Sequence, residues 1–533
     1  MKKRYFATAL LTLLASFALA SCDDFTLFGS STTTITPSKT SIPGSISSED
    51  SSKNPDAFER VETTLTYNEL SYSNRGSALQ PPISYLPSVG DVNLLVLPIM
   101  LTDYTLSSSE QLTQQARLDR AFFGGDGEFP YYSVRSFYEQ SSYGKLHLSG
   151  TVAPWYASSL STRDLYMMDN PKEGTAYGPS YLIQEALNYY VSHNDVDITQ
   201  YDQDKDGYID AVWAIYSAPN YSNLRNPNDY YANTFWAFCW WNPNAEADVS
   251  NPGLNAFGWA GLDFLDEEAT LEGYSTRTFI HETGHLLGLD DYYSYSQYPT
   301  MPLGGFDMMD YNVFDHNAFS KFALGWIEPY MAKEGTITLR PFVETGDALI
   351  LPSSSGFNGS AFDEYLIVEY FTTDGLNAYD DQNGLWSYSI PPQVYHDGGL
   401  IMYHVNASLM QVNYTNRGYT YEEIDQVSSG QYTLNAVQHC NTPENCYANY
   451  MNGTYTCSHC LLEMVGATGT FDYSESRAIY SPQDMFQAGQ NFNFNNYGNI
   501  FENRRLDDGG YIDLGFDVVS KTEDGITLNV SFN

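Results

Sequence analysis

Basic side chains are scarce in this chain. Its 533 residues carry 24 lysines and arginines against 65 aspartates and glutamates, a formal net charge of −41. A surface of that sign repels phosphate backbones and anionic headgroups, which argues against nucleic acid as a partner. It suits a solvated extracytoplasmic protein and offers carboxylates to calcium. Cysteine is sparse as well, with 6 in all, four of them gathered between positions 440 and 460. Past the N-terminus no apolar run reaches the roughly 20 residues that a membrane-spanning helix needs. Histidine, at 9, is rare enough that two of them at helical spacing around a glutamate are informative.

The first residues have the order of an export signal. Lys2, Lys3 and Arg4 precede an apolar core from Tyr5 to Leu19, and Leu19-Ala20-Ser21-Cys22 forms a cleavage box. The ending resembles the lipobox of bacterial lipoproteins, so residues 1–21 are expected to be a signal peptide and Cys22 the lipidated first residue. Membrane association is then expected only through that lipid, at the bacterial cell surface. Residues 22–65, rich in Ser, Thr, Pro and Lys early on, cannot bury enough apolar surface to offset their ordering entropy and are expected to form a flexible tether. The length left over suffices for two or three domains.

The segment Phe279-Ile280-His281-Glu282-Thr283-Gly284-His285-Leu286-Leu287-Gly288-Leu289-Asp290-Asp291 dominates the rest. On a helix His281 and His285 stand one turn apart on one face, the separation at which two imidazoles can share a zinc ion. Glu282 then lies beside the metal, where a carboxylate can accept a proton from a water whose pKa zinc lowers from about 15.7 to about 7. A catalytic zinc usually takes three protein ligands and keeps one position open. Gly288 can end the helix in a left-handed turn and bring the chain back. Asp291 falls where the pattern HExxHxxGxxH has its third histidine and is read as the third ligand. Asp290 is the alternative.

Upstream, the apolar run Val92 to Ile99 reads as a buried central strand. Ser133 to Gln140 reads as a serine-capped helix, Leu146 to Leu148 as a strand, Ser180 to Ser192 as a helix and Ala211 to Tyr216 as a strand. Alternation of this kind predicts an α/β domain. Asp202, Asp204 and Asp206 alternate as in an EF-hand loop, with Gly207 at the sharp turn, but the twelfth position is Trp213 rather than glutamate. The expectation is therefore a calcium loop without the two-helix hand, closed by Asp210 and the backbone carbonyl of Tyr208. The aromatic stretch Phe235 to Trp241 is read as core or cleft wall, with a carbohydrate platform as the alternative, and Cys239 as a buried apolar residue.

After the histidine motif comes Gly304-Gly305-Phe306-Asp307-Met308-Met309-Asp310-Tyr311-Asn312. A methionine in a tight turn is the second signature of the metzincins, and Met309 is assigned to it. That places Tyr311 two residues on, as a candidate donor to a developing oxyanion. Together HETGHLLGLDDYY, SVRSFYEQSSYGKLHLSG with Trp155, YDQDKDGYIDAVWAIYSA, FDMMDYN, NAFSKFALGWI, EYLIVEYF and GLIMYHVN make the chain resemble the immune inhibitor A family of secreted bacterial metallopeptidases over roughly residues 85 to 410. The resemblance implies a zinc endopeptidase with His281, His285 and Asp291 as ligands, Glu282 as base, and structural calcium. Asp290 departs from the proline common before the third ligand in that family, and the pro-segment is expected to be short or lacking.

Beyond Trp326 short apolar or alternating runs recur at Thr336 to Leu339, Ala348 to Leu351, Tyr365 to Tyr370, Leu400 to Val405 and Ile526 to Val530. They predict a β-sandwich-like C-terminal domain. His396 and His404 are read as ordinary polar residues. Cys440, Cys446, Cys457 and Cys460, flanked by His439 and His459, are expected to pair as two disulfides in an insertion, with a structural zinc as the alternative. The expected layout is thus a metzincin-like zinc peptidase domain over 66–330 followed by a β-rich domain over 331–533. The expected activity is cleavage of extracellular protein or peptide by a zinc-activated water. Two rivals are a catalytically silent adhesin or glycan-binding lipoprotein on the same scaffold, and a zinc amidase. Oligomeric state is not legible.

Overall fold

A computed structural model describes residues 58–70, 84–125, 131–168, 177–224, 234–242, 245–266, 275–293, 302–383, 398–415, 418–421, 432–437, 441, 460–469 and 482–533. The signal peptide, Cys22, His396, Cys440, Cys446 and Cys457 lie outside the described residues, so the lipidation and cysteine-pairing expectations do as well. Helices and sheets are mixed, and the described residues fall into two compact units: 84–138 with 146–288, and 58–70, 139–145 with 289–533. Among the described residues no helix is long and apolar enough to cross a membrane.

The first unit is built on one sheet. Its strands are β1 (Gly90–Met100), β2 (Leu146–Val152), β3 (Val212–Tyr216), β4 (Phe238–Trp241) and β5 (Ala256–Gly261), in the order β2-β1-β3-β5-β4. Neighbours are parallel until the edge strand β4, which runs antiparallel to β5. Parallel pairing demands crossovers, supplied by helices α1 (Ser108–Phe123), α2 (Val134–Ser141) and α3 (Tyr177–Asn194). Each forms where local chemistry permits. Ser107 and Glu110 close a reciprocal capping box on α1, and Ser133 Oγ accepts from the Ser136 amide at 2.9 Å to start α2.

Both faces of this sheet are covered, which is why β1 is apolar almost throughout rather than alternating. On one face Leu182, Ile183, Ala186, Leu187 and Tyr190 of α3 join Leu95, Leu97 and Ile99 of β1 and Val212, Ala214 and Tyr216 of β3 in a single core. On the other face Trp213 meets Phe122 at 5.5 Å and Phe279 at 5.4 Å. Phe279 belongs to the histidine-motif helix α4 (Arg277–Leu286). The sheet therefore seats that helix through one aromatic cluster.

The second unit begins with the short helix α5 (Met308–Tyr311) and α6 (Ala318–Ala323) and continues into sheets. One sheet has the order β11-β10-β9-β8-β6, from β6 (Tyr330–Met331), β8 (Ala348–Pro352), β9 (Glu364–Phe371), β10 (Gly399–Asn406) and β11 (Leu462–Met464). A second has the order β7-β14-β13-β12, from β7 (Gly335–Leu339), β12 (Asn491–Phe492), β13 (Leu514–Thr522) and β14 (Gly525–Phe532), and a third pairs Leu409–Thr415 with Gly418–Tyr421 and Tyr432–Val437. Leu366, Val368 and Met402 of the first share one core with Ile337, Phe516 and Leu528 of the second. The five strands read from sequence in this region all form, each extended at one or both ends by a residue or two.

Two expectations about boundaries need correction. The tether predicted to run to residue 65 ends earlier, because residues 58–65 pack onto the second unit. Phe58 enters its core, Val61 N donates to Pro329 O at 2.8 Å, and Arg60 pairs with the buried Asp347 at 3.0 Å. The break between the compact units falls after residue 288 rather than at 330. The reason is that residues 302–326 cover the outer face of β9, whose eight positions are all buried and whose Glu369 accepts from Ala318 N at 2.8 Å.

Candidate metal centre

Helix α4 carries RTFIHETGHL, and all of it but His285 is buried. Polar anchors fix its position as well as apolar ones do. Tyr138 donates its hydroxyl to Ile280 O at 2.7 Å, Leu86 N donates to Leu286 O at 2.8 Å, and the Cys239 thiol donates to Glu282 O at 2.9 Å. Trp213 Nε1 donates to Thr283 Oγ1 at 3.2 Å, and Thr283 Oγ1 donates to Phe279 O at 2.7 Å. None of these anchors is readable from the motif itself. The aromatic stretch Phe235 to Trp241, expected as core or cleft wall, is buried from Phe235 to Phe238 and half-buried from Cys239 to Trp241, so Cys239 is less buried than expected.

The imidazoles of His281 and His285 stand 4.8 Å apart, centre to centre, at an interplanar angle of 87°. Just past the helix Gly288 takes φ +101°, a conformation that side chains with a Cβ rarely adopt. The chain turns back there, and one ligand atom each from His281, His285 and Asp291 lies within 4.8 Å of the others. Of the two neighbouring aspartates it is Asp291, 6% exposed, that lies with the histidines. Asp290 is half-exposed and outside the cluster. Two imidazole nitrogens and a carboxylate oxygen suit zinc, and three protein ligands leave a position open. Glu282, 3% exposed, occupies the same turn of helix.

Beneath Asp291 the chain is held from its own side. Tyr292 N donates to Met309 O at 2.9 Å, so the turn assigned to Met309 supports the residue next to Asp291. The Met309 side chain is fully buried. Asp307 caps this turn, accepting from Met309 N at 2.6 Å and from Asn317 N at 2.7 Å; burial pushes its carboxyl up to about 7. Asp310 accepts from Gly305 N at 2.7 Å. Its burial, with the nearby charges of Asp307 and Asp291, pushes it up to about 8. Tyr311 ends α5 and is half-buried, with Asn312 in the left-handed conformation behind it.

A second group of oxygens gathers at the predicted calcium loop. Asp202, Asp204 and Asp210 bring one carboxylate oxygen each within 4.8 Å of the others. Asp206 is not among them. Its oxygens take the Ser84 hydroxyl at 2.8 Å and the Tyr208 amide at 2.7 Å, so it braces the loop. Tyr208 forms a two-residue strand with Ile209 that pairs with Gly253–Leu254. Gly207 turns at φ +90°, where a Cβ would come 2.6 Å from Asp248 N. Asp210 is fully buried; Gln203 N reaches one of its oxygens at 3.0 Å and the other has no hydrogen-bond partner. Burial pushes this carboxyl up to about 8. An all-oxygen set with an orphaned buried acceptor suits a hard cation such as calcium.

Comparison with protein-family models finds no matching family, and comparison with curated proteins finds no match.

Proposed function

We propose that the chain is a zinc-dependent endopeptidase. The observation that carries the reading is the convergence of His281, His285 and Asp291 around a single point, with Glu282 buried on the same helical turn. Supporting it are the left-handed turn at Gly288 and the methionine turn bonded to the residue after Asp291. A largely parallel sheet that seats the motif helix fits a metzincin-like catalytic domain, and two sheets around one core fit a β-sandwich-like second domain. Export and lipid attachment at Cys22 belong to the same proposal, as does calcium at Asp202, Asp204 and Asp210.

His281, His285 and Asp291 would hold the zinc. When bound, zinc supplies Lewis acidity toward a carbonyl oxygen and makes water acidic near neutral pH. Glu282 acts as the proton carrier: its carboxylate accepts a proton from the attacking water and returns it to the amine nitrogen as the C–N bond breaks. Burial of Glu282 and His281 keeps bulk water from competing for that proton. Tyr311 is assigned as a donor to the oxyanion in this mechanism.

The test is zinc content together with casein cleavage, for wild type and Glu282→Gln. Zinc in both with cleavage in wild type alone is the expected result. Cleavage by the Gln variant at the wild-type rate would sink the mechanism. Zinc without cleavage in either would favour a silent binding protein.

A further inference from the structure

The loop and the motif helix are joined by one side chain. We propose that a divalent cation held by Asp202, Asp204 and Asp210 tightens zinc binding on α4 through Trp213, which makes Trp213 a positioning residue for the metal centre. The inference rests on the zinc reading and adds to it a means of control.

The path is short and buried. Asp210 leads through Ala211 directly into β3, and its N donates to Tyr201 O at 2.8 Å. One Asp210 oxygen is fully buried without a partner, and a carboxylate oxygen of Asp210 lies within 4.8 Å of one each from Asp202 and Asp204. Three carboxylates that close repel one another unless a cation sits between them, so the cation decides how tightly the loop closes on the start of β3. Two residues into that strand pair, Trp213 is fully buried. Its indole lies over Gly258, where a Cβ would come within 2.8 Å of three ring atoms. Phe122 and Phe279 pack against its ring at 5.5 Å and 5.4 Å. So confined, the indole moves only with the strand that bears it.

Its far end sets the helix. Trp213 Nε1 donates to Thr283 Oγ1 at 3.2 Å, and Thr283 is two residues from both His281 and His285. Phe279 and Thr283 lie one turn apart on one face of α4, so the indole fixes how far α4 is rotated about its axis. That rotation decides where both imidazoles point. A loop closed by a cation holds β3, and with it the indole, in the position that presents the two histidines together.

The mature chain is titrated with zinc against a chromophoric chelator, with and without millimolar calcium. Calcium-loop occupancy is followed separately by terbium luminescence sensitised by the protein's aromatic residues. We expect calcium to tighten zinc binding about tenfold, within the 5- to 150-fold span of ordinary couplings, and zinc to tighten calcium by the same factor. Asp210→Asn should lose terbium binding and keep the calcium-free zinc affinity. Trp213→Phe should bind both metals with the linkage reduced below twofold; Thr283→Val, which removes the acceptor and leaves the indole in place, should do the same. Equal zinc affinity with and without calcium in wild type, while terbium binds, overturns the inference. Terbium binding that fails to appear overturns the cation site. Terbium binding with no zinc uptake overturns the peptidase reading itself, and the linkage with it.

Discussion

At the scale of residues, the two aspartates after Gly288 show what a motif leaves open. Their side chains are chemically identical and adjacent, and only the turn decides which reaches the histidines. Asp291→Ala should lower zinc content measured by atomic absorption to a small fraction of an equivalent, while Asp290→Ala should retain it. The reverse pattern would reassign the ligand. His404 offers a second case, one where the reading from sequence was wrong. It is a buried node rather than an ordinary polar residue, donating to Glu364 at 2.9 Å and Glu463 at 3.1 Å. Burial alone would lower its pKa, yet the two glutamates overcome that and hold it up at about 10. A histidine raised in the folded state stabilises fully below its ordinary value of 6.5 and loses that contribution as pH rises through the folded value. The melting temperature of wild type should therefore fall between about pH 6.5 and 10 by more than that of His404→Gln. Parallel curves for the two would show that the node contributes nothing. The signal needed to find it was the pairing of β10 with β9 and β11, which sets His404 opposite Leu366 and Glu463 and no local pattern contains.

At the scale of elements, α4 is stable because its neighbours make it so. It has no side-chain cap at its start, and a helix this short is marginal alone. Its end depends on Gly288, where an alanine would pay roughly 1–2 kcal/mol for the left-handed conformation. Gly288→Ala should lower unfolding free energy by about that amount in urea and also weaken zinc binding, since the turn brings Asp291 round. Lost stability with unchanged zinc affinity would separate the turn from the site. Strands such as VNLLVLPI and EYLIVEYF were legible because their apolar runs stand out locally, whereas the helix Ser108–Phe123 and the strands Ala256–Gly261 and Leu514–Thr522 were not read. The calcium loop was legible in outline from its alternating aspartates. That Asp206 braces the loop while Asp210 keeps a buried oxygen without a partner was not, because all four carboxylates look alike until Ser84 and the amides have taken their acceptors.

At the scale of the whole molecule, the segment before the first sheet is part of the fold. Asp347, 1% exposed at its side chain, takes Arg60 at 3.0 Å and Arg340 at 2.8 Å. Removing residues 58–65 leaves Arg340 alone against it and uncovers the core around Phe58. A chain starting at residue 66 should melt several degrees below one starting at residue 57 in calorimetry, because the core around Phe58 is uncovered and Asp347 keeps only one of its two arginines. Equal melting temperatures would restore the tether to its full predicted length. Composition suggested flexibility there because Ser and Thr dominate the segment before it, and one arginine and one phenylalanine are too few to change an average.

By itself the sequence carried the proposal of a zinc site: two histidines at helical spacing, a glutamate between them and a glycine after them, with the 3.6-residue period aligning the imidazoles. It also determined those strands and helices whose apolar periods are local, such as Gly90–Met100 and Tyr177–Asn194, while Ser108–Phe123, Ala256–Gly261 and Leu514–Thr522 were not read. Only the tertiary structure decided which aspartate lies with the two histidines, which of four carboxylates gather at the loop, where one compact unit ends and the next begins, and that Trp213 stands between loop and helix. Each of those depends on contacts between residues far apart in the chain, and periodicity carries no information about them.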